Sequence, residues 1–213
     1  TWRVVVGGSS QYIPKLIVPF ADRIHLNRGP VRVHRTDTAA VLTFDDGATA
    51  SFDDVVLACH GDDAYRLIGD PTPAERAVMS AFQTTRNDTW LHTDESFLPA
   101  RVRARAAWNY QLGRDAAGAT LTYDINRLQR LSAPETYCVT LNPDRPIEAS
   151  KVLARMAYTH PLYTRDAIAA QARWAEVSGR ARLHFCGAYW FYGFHEDGLR
   201  SAVRVAEAMG VTW

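Results

Sequence analysis

The chain has 213 residues, 47% of them hydrophobic and 22% charged, with a formal net charge of +1. That length suits one large or two small domains, and the near-neutral charge gives no general attraction to nucleic acid or to an anionic membrane surface. No apolar run reaches the roughly 20 residues of a membrane span, so the expectation is a soluble, cytoplasmic protein with no transmembrane segment and no nucleic-acid partner. Cys59, Cys138 and Cys186 lie far apart with no C-x-x-C spacing, which favours buried reduced thiols over a zinc site or a disulfide framework.

The sequence opens at Thr1 directly in an apolar stretch, Trp2 to Val6. This start in mid-strand leads to the expectation of further residues upstream. Val4-Val5-Val6-Gly7-Gly8 has the outline of a Rossmann strand and turn, but the third glycine of G-x-G-x-x-G is absent. The alternative is a turn with Ser9 or Ser10 as N-cap, then a short helix with Tyr12, Ile13, Leu16 and Ile17 on its apolar side. Pro14 suits the start of that helix, and Pro19 should end or kink it.

From Ile24 to Cys59 the period is two. Val31 to Arg35 and Ala40 to Phe44 alternate, Asp45-Asp46-Gly47 signals a hairpin, and Ala48 to Phe52 returns. Val55 to Cys59 reads as a strand buried on both faces. Two helices are expected over residues 61–82, the first capped by Asp62 or Asp63 and the second entered through Pro71-Thr72-Pro73, with Ala77, Val78 and Phe82 inward. Strands are expected at Thr89–Thr93, Ala106–Leu112, Thr120–Tyr123 and Tyr137–Leu141, in a mixed or antiparallel sheet. A helix from Arg165 to Glu176, a strand from Arg182 to Cys186 and an aromatic loop from Gly187 to Phe194 follow. The last element is a helix from Asp197 to Met209, with Leu199, Ala202, Val203, Ala206 and Met209 on one face and Gly210 as its stop.

The last forty residues carry the most chemistry. A buried strand ends at Cys186-Gly187-Ala188, and a loop leads to a helix start rich in acids and small residues, including Gly198, Ser201 and Ala202. Such a start presents free N–H groups and the positive end of the helix dipole, a natural seat for an electron-rich group such as the N1–C2=O edge of a flavin. An ordinary strand–loop–helix with capping acids would read the same way.

The segment Phe185 to Ala206 resembles the C-terminal FAD motif of the flavin-containing amine oxidase superfamily. Gly193-Phe194-His195-Glu196-Asp197-Gly198 matches its G-Φ-x-E-G turn with Asp197 inserted, and Ala188 replaces the usual acid after the strand-end glycine. The wider pattern resembles a bacterial amine-oxidase-like branch of predicted NAD/FAD-binding proteins. Its ordered motifs have counterparts in Trp2 with Gly7-Gly8-Ser9 and Gln11-Tyr12, Val31-x-Val33-x-Arg35, Leu91-His92-Thr93-Asp94, Trp108-Asn109-Tyr110, Val139 to Pro143, His160-Pro161 and Phe185 to Tyr189. The G-x-G-x-x-G unit of complete members has no counterpart.

The resemblance implies an α/β protein, with part of a glutathione-reductase-like FAD-binding domain and a mixed-sheet substrate-binding domain. Residues 1–82 would be FAD-binding-domain part running into the substrate domain, 83–178 the substrate-binding region, and 179–213 the C-terminal FAD-binding strand, loop and helix. It implies non-covalently bound FAD, contacted by Val33, Gly187, Ala188, Gly193, Phe194, His195, Glu196 and Gly198, with Val31 or Val33 near the adenine. His195 is a weak candidate for acid/base work, and no metal is implied. Trp190, Tyr192 and Phe194 could wall the flavin or substrate or be core; His92 with Asp94 reads as a satisfied structural histidine or a cavity pair; His60 could lie near the dinucleotide; core packing is expected for at least one of Trp108 and Tyr110.

The expected activity is that of an FAD-dependent oxidoreductase acting on a small organic molecule, apolar or lipid-like in character. A Rossmann unit, in the same or another chain, would complete it, and this chain alone would be inactive. The alternative is a non-catalytic fragment or binding module without redox turnover.

Overall fold

The computed structural model describes residues 3–112 and 118–212, and Trp2 lies outside them. Val4 and Val5 do not form the expected strand. The run enters a turn in which the Gly8 amide donates to Val5 O at 3.0 Å. Branched residues favour strands, but a strand exists only where a neighbour takes its hydrogen bonds, and none of the described strands does so. Ser9 and Ser10 sit in a 3-10 turn rather than capping α1 (Ile13–Ile17), whose cap is Tyr12. The apolar side of α1 is open, with Ile13 and Leu16 exposed. Pro19 falls in a 3-10 stretch that kinks at Phe20 (φ −143°), as its missing N–H requires.

β1 (Pro30–Arg35), β2 (Ala40–Phe44) and β3 (Thr49–Phe52) form the antiparallel meander, with Asp46 Oδ1 accepting from the Ala48 amide in the hairpin. β4 (Val55–Leu57) buries Val55 and Leu57 but leaves Val56 42% exposed, so only one face of this strand is covered. α2 (Gly61–Leu67) begins at His60. Asp62 and Asp63 do not cap it; they stand in its first turn, where the helix dipole favours acids, and both pair with Arg66. α3 (Pro73–Met79) has a complete capping box between Thr72 and Glu75. It packs through Glu75, Val78 and Met79, and Ala77, on the other side, is exposed.

Beyond it come β5 (Gln83–His92), β6 (Trp108–Leu112), β7 (Ala119–Asp124), α4 (Ile125–Gln129), β8 (Cys138–Leu141) and β9 (Val152–Leu162). β9 was not legible in the sequence. The sheet order is β6-β7-β8-β5-β9, and the registers of β6 with β7, β7 with β8 and β5 with β8 are antiparallel. The helix expected over Arg165–Glu176 breaks at Arg173 into α5 (Arg165–Gln171) and α6 (Trp174–Val177). β10 (Leu183–Phe185) runs parallel to β4, and α7 (His195–Ala208) closes the chain, with Gly210 beyond it at φ +83°.

Residues 1–23 and 86–159 form one compact unit, and residues 24–85 and 160–213 the other. The second holds the main apolar core, in which Val33, Val78, Met79, Leu183, Phe185, Val177 and Trp190 are fully enclosed. Of the cysteines, Cys138 and Cys186 are buried as expected, whereas Cys59 is exposed, and all three are free thiols. Among the described residues no helix is long and apolar enough to cross a membrane.

Candidate functional site

In the second unit, β10 delivers the chain to Gly187, whose backbone (φ +153°) is one that side-chain-bearing residues rarely adopt. A Cβ there would stand 2.5 Å from the Tyr189 ring and 3.3 Å from Cys59 O, so Gly187 is required by close approach as well as by dihedral. The Gly187 amide donates to Ser201 Oγ, which donates in turn to Gly198 O, both at 2.7 Å. Strand end and helix start are thereby tied through one hydroxyl.

Between them, Ala188 O accepts from the amides of Phe191 and Gly193. Gln171 Nε2 donates to Tyr189 O at 2.9 Å and Phe191 O at 2.6 Å. Asp197, the residue inserted into the G-Φ-x-E-G pattern, accepts from the amides of Tyr192 at 3.2 Å and Phe194 at 3.0 Å. The insertion therefore holds the loop. The Asp197 and Gly198 amides donate to Phe194 O.

The helix packs differently from its sequence pattern. Asp197, Ser201 and Val205 form the buried face of α7, while Leu199 and Met209, on the expected apolar side, are 56% and 47% exposed. The tie from Ser201 to Gly187 lies on that buried face. Gly198 has nothing within 4 Å of a Cβ built on it. Nothing in the described chain needs a glycine there, although glycine within a helix costs about 0.5–1 kcal/mol against alanine.

Gly193, Phe194, His195 and Glu196 are exposed around this opening, and Gly187, Ala188 and Gly198 are half-buried beside it. Gly193 (φ +86°) sits under the Tyr163 hydroxyl. Val33 is on β1, with its side chain in the core and its carbonyl accepting from the Gly69 amide at 2.7 Å. Trp190 is core and Tyr192 is open to solvent, so the aromatic loop splits between the two roles expected of it. His60 heads α2 and approaches Asp63 at 3.8 Å. Tyr189 Oη and Trp190 Nε1, both buried, have no hydrogen-bond partner among the described residues. Gln171 and Ser201 were missed as holders of this loop, because a lone amide and a lone hydroxyl in a helix carry no pattern of their own.

In the first unit, His92 is fully buried. Its Nδ1 accepts from the Asp94 amide at 3.0 Å, which puts the ring hydrogen on Nε2, donating to Thr140 Oγ1 at 2.7 Å. Thr140 Oγ1 can then donate to Thr122 Oγ1 at 3.0 Å. Burial, partly offset by the Asp94 charge, lowers the imidazole pKa, and both ring nitrogens are used. Trp108 and Tyr110 are 52% and 68% exposed, so core packing, expected for at least one of them, is absent within the described residues. Alternation placed them on one face but could not say whether that face is covered. A cavity of about 1220 Å³ opens here, walled by Arg3 to Gly8, by Ala107 and Trp108, and by residues 127–131.

No family model matches the chain, and no curated protein matches its sequence. Solved structures do match. Putrescine oxidase, in its wild-type form bound to putrescine, aligns over 96% of this chain and 53% of its own, with TM-score 0.62 and 12% identity. Cyclohexylamine oxidase from Brevibacterium oxydans aligns over 96% and 53%, with TM-score 0.61 and 11% identity. A CLA-producing fatty acid isomerase from P. acnes aligns over 87% and 48%, with TM-score 0.58 and 12% identity. The chain shares their fold. It spans about half the length of each of these proteins, and at such identities the likeness is one of architecture, an α/β arrangement of helix and sheet.

Proposed function

We propose that the chain is the flavin-facing portion of an FAD-dependent oxidoreductase of the amine-oxidase type that acts on a small organic molecule. The observation that carries this reading is the first turn of α7. There Asp197 and Ser201 fix the loop and the strand end against the helix start, and a Cβ built on Gly198 would meet nothing within 4 Å. A planar, electron-rich ring fits such a place, because fixed N–H donors and the helix dipole stabilise negative charge without reorganising. The fold shared with the oxidases supports the same assignment.

The residues that would hold the flavin are Gly187, Ala188, Gly193, Phe194, His195, Glu196 and Gly198, with Val33 on the adenine side. Bound there without a covalent link, FAD supplies the capacity to accept and return a hydride or electrons. The chain's own residues position it. Ser201 fixes the distance from strand end to helix start, Asp197 shapes the loop, and Gln171 braces the aromatic segment from below. His195 stands at the mouth as a candidate to move a proton.

Two faces of this unit are uncovered, Val56 on β4 and Leu199 with Met209 on α7. A two-stranded parallel sheet with an open face is incomplete by the general habit of parallel sheets, which are covered on both sides. A Rossmann β-α-β unit, in the same or another polypeptide, is the proposed complement and supplies the grip on the pyrophosphate.

The test is to tag the protein at its natural locus, isolate it from its own cells and record its visible spectrum. The flavin absorption band, with FAD released on denaturation, is expected. A colourless protein that takes up no added FAD would refute the reading in favour of a non-catalytic binding module.

A further inference from the structure

The cavity in the first unit has an unusual charge for a fold shared with oxidases of cationic amines. Its charged lining residues, among those described, are three arginines, Arg3, Arg127 and Arg130, and no acid lines it. Arg127 is answered by Asp124, at 3.0 Å through Nε. Arg3 and Arg130 have no carboxylate partner among the described residues. Its apolar walls include Val4 to Val6, Trp108, Leu128 and Leu131, and Gln129 is a polar neighbour.

Arg130 is also held in the left-handed region, at φ 54° and ψ 45°, as the C-cap of α4, with its amide donating to Asn126 O. Helices commonly end on a residue in that conformation, and the residue is usually glycine. An arginine there keeps a charge at the cavity at some conformational cost.

Guanidinium groups match carboxylates in geometry and form the stronger, charge-assisted class of hydrogen bond. An alkylammonium would be repelled by two cations that have no carboxylate partner among the described residues. We infer that this cavity binds an apolar molecule bearing a carboxylate, with Arg3 and Arg130 taking the carboxylate and Trp108, Leu128, Leu131 and the valines taking the apolar part. The inference deepens the reading given under Proposed function by naming the class of organic molecule.

Titration of the full-length protein, freed of flavin, with dodecanoate, dodecanol and dodecylamine, each kept below micelle formation and followed by tryptophan fluorescence, tests it. Dodecanoate is expected to bind most tightly, with a signal that disappears in Trp108→Phe. Arg130→Gly, which suits the same backbone conformation, and Arg3→Gln are each expected to weaken dodecanoate at least about tenfold and leave dodecanol nearly unchanged. Circular dichroism of each variant establishes that it is folded. Equal affinity for acid and alcohol, tighter binding of the amine, insensitivity to both arginine variants, or no binding at all would overturn the inference. The titration contains no flavin, so its failure leaves the flavin reading intact, and a colourless protein leaves the titration result intact.

Discussion

Glu75 closes the capping box of α3 and also accepts from both terminal nitrogens of Arg35, at 2.7 and 3.0 Å. The two side chains are 2% and 8% exposed, so this is a buried pair that joins α3 to the meander through β1. Asp70 adds a second contact to the same guanidinium. Burial opposes the Arg35 charge, and the bonds to Glu75 and Asp70 outweigh it, leaving its pKa raised.

Glu75→Ala is therefore expected to destabilise the second unit by about 2–4 kcal/mol, because it removes one of the two carboxylate partners of a buried charge, leaving Asp70, and removes a cap at once. Chemical denaturation reads the loss. Glu75→Gln, which keeps an acceptor for the Thr72 amide, should cost less, and equal losses for the two variants would show that capping contributes little.

His92 predicts a pH dependence. Its folded pKa is depressed, so the unfolded chain takes up the proton more readily than the folded one. Stability is then whole above an unfolded value of about 6.5 and is lost as pH falls below it, down to the folded value. Denaturation curves at pH 7.5 and 5.5 are expected to show this loss in the parent chain. In His92→Gln, starting from lower stability, the loss should be smaller.

Asp197→Ala removes the acceptor of two loop amides and is expected to cost about 1–3 kcal/mol. Faster amide exchange at Tyr192 and Phe194 should accompany it. Unchanged exchange there would mean that the loop is held without Asp197, by Gln171 and the bonds to Ala188 O.

Gly198→Ala separates the two readings of the helix start. An ordinary helix gains about 0.5–1 kcal/mol from this change, and the space around Gly198 admits the methyl group. Higher thermal stability together with weaker flavin retention is the expected pair of results. Higher stability with flavin retention unchanged would remove Gly198 from the proposed site.

Much of this fold was legible locally. The hairpin at Asp45-Asp46-Gly47, the helix entry at Pro71-Thr72-Pro73 and the helix stop at Gly210 are decided by residues a few positions apart. β9 was not legible, because Val152–Leu162 lacks clean alternation, carries Pro161 and is a strand through its place beside β5. The candidate flavin site was legible as a stretch, Gly187 to Gly198. Its holders Gln171 and Ser201 were not, since their role is to reach backbone groups 14 to 20 residues away.

The sequence by itself determined where the turns, caps and periodic segments fall, since these depend on dihedral preference and short-range hydrogen bonds. Only the tertiary structure decided which side of each element is covered. The apolar stripe of α7 was correctly periodic, yet Leu199, Ala202 and Met209 are exposed and Val203 and Ala206 only half-buried, while Val205 and Ser201, whose hydroxyl accepts from the Gly187 amide, face the core. Likewise the branched run Val4 to Val6 had strand propensity but no strand to pair with, and it became the wall of a cavity. Periodicity names a face; a partner across space, at hydrogen-bonding or contact distance, decides whether that face is buried.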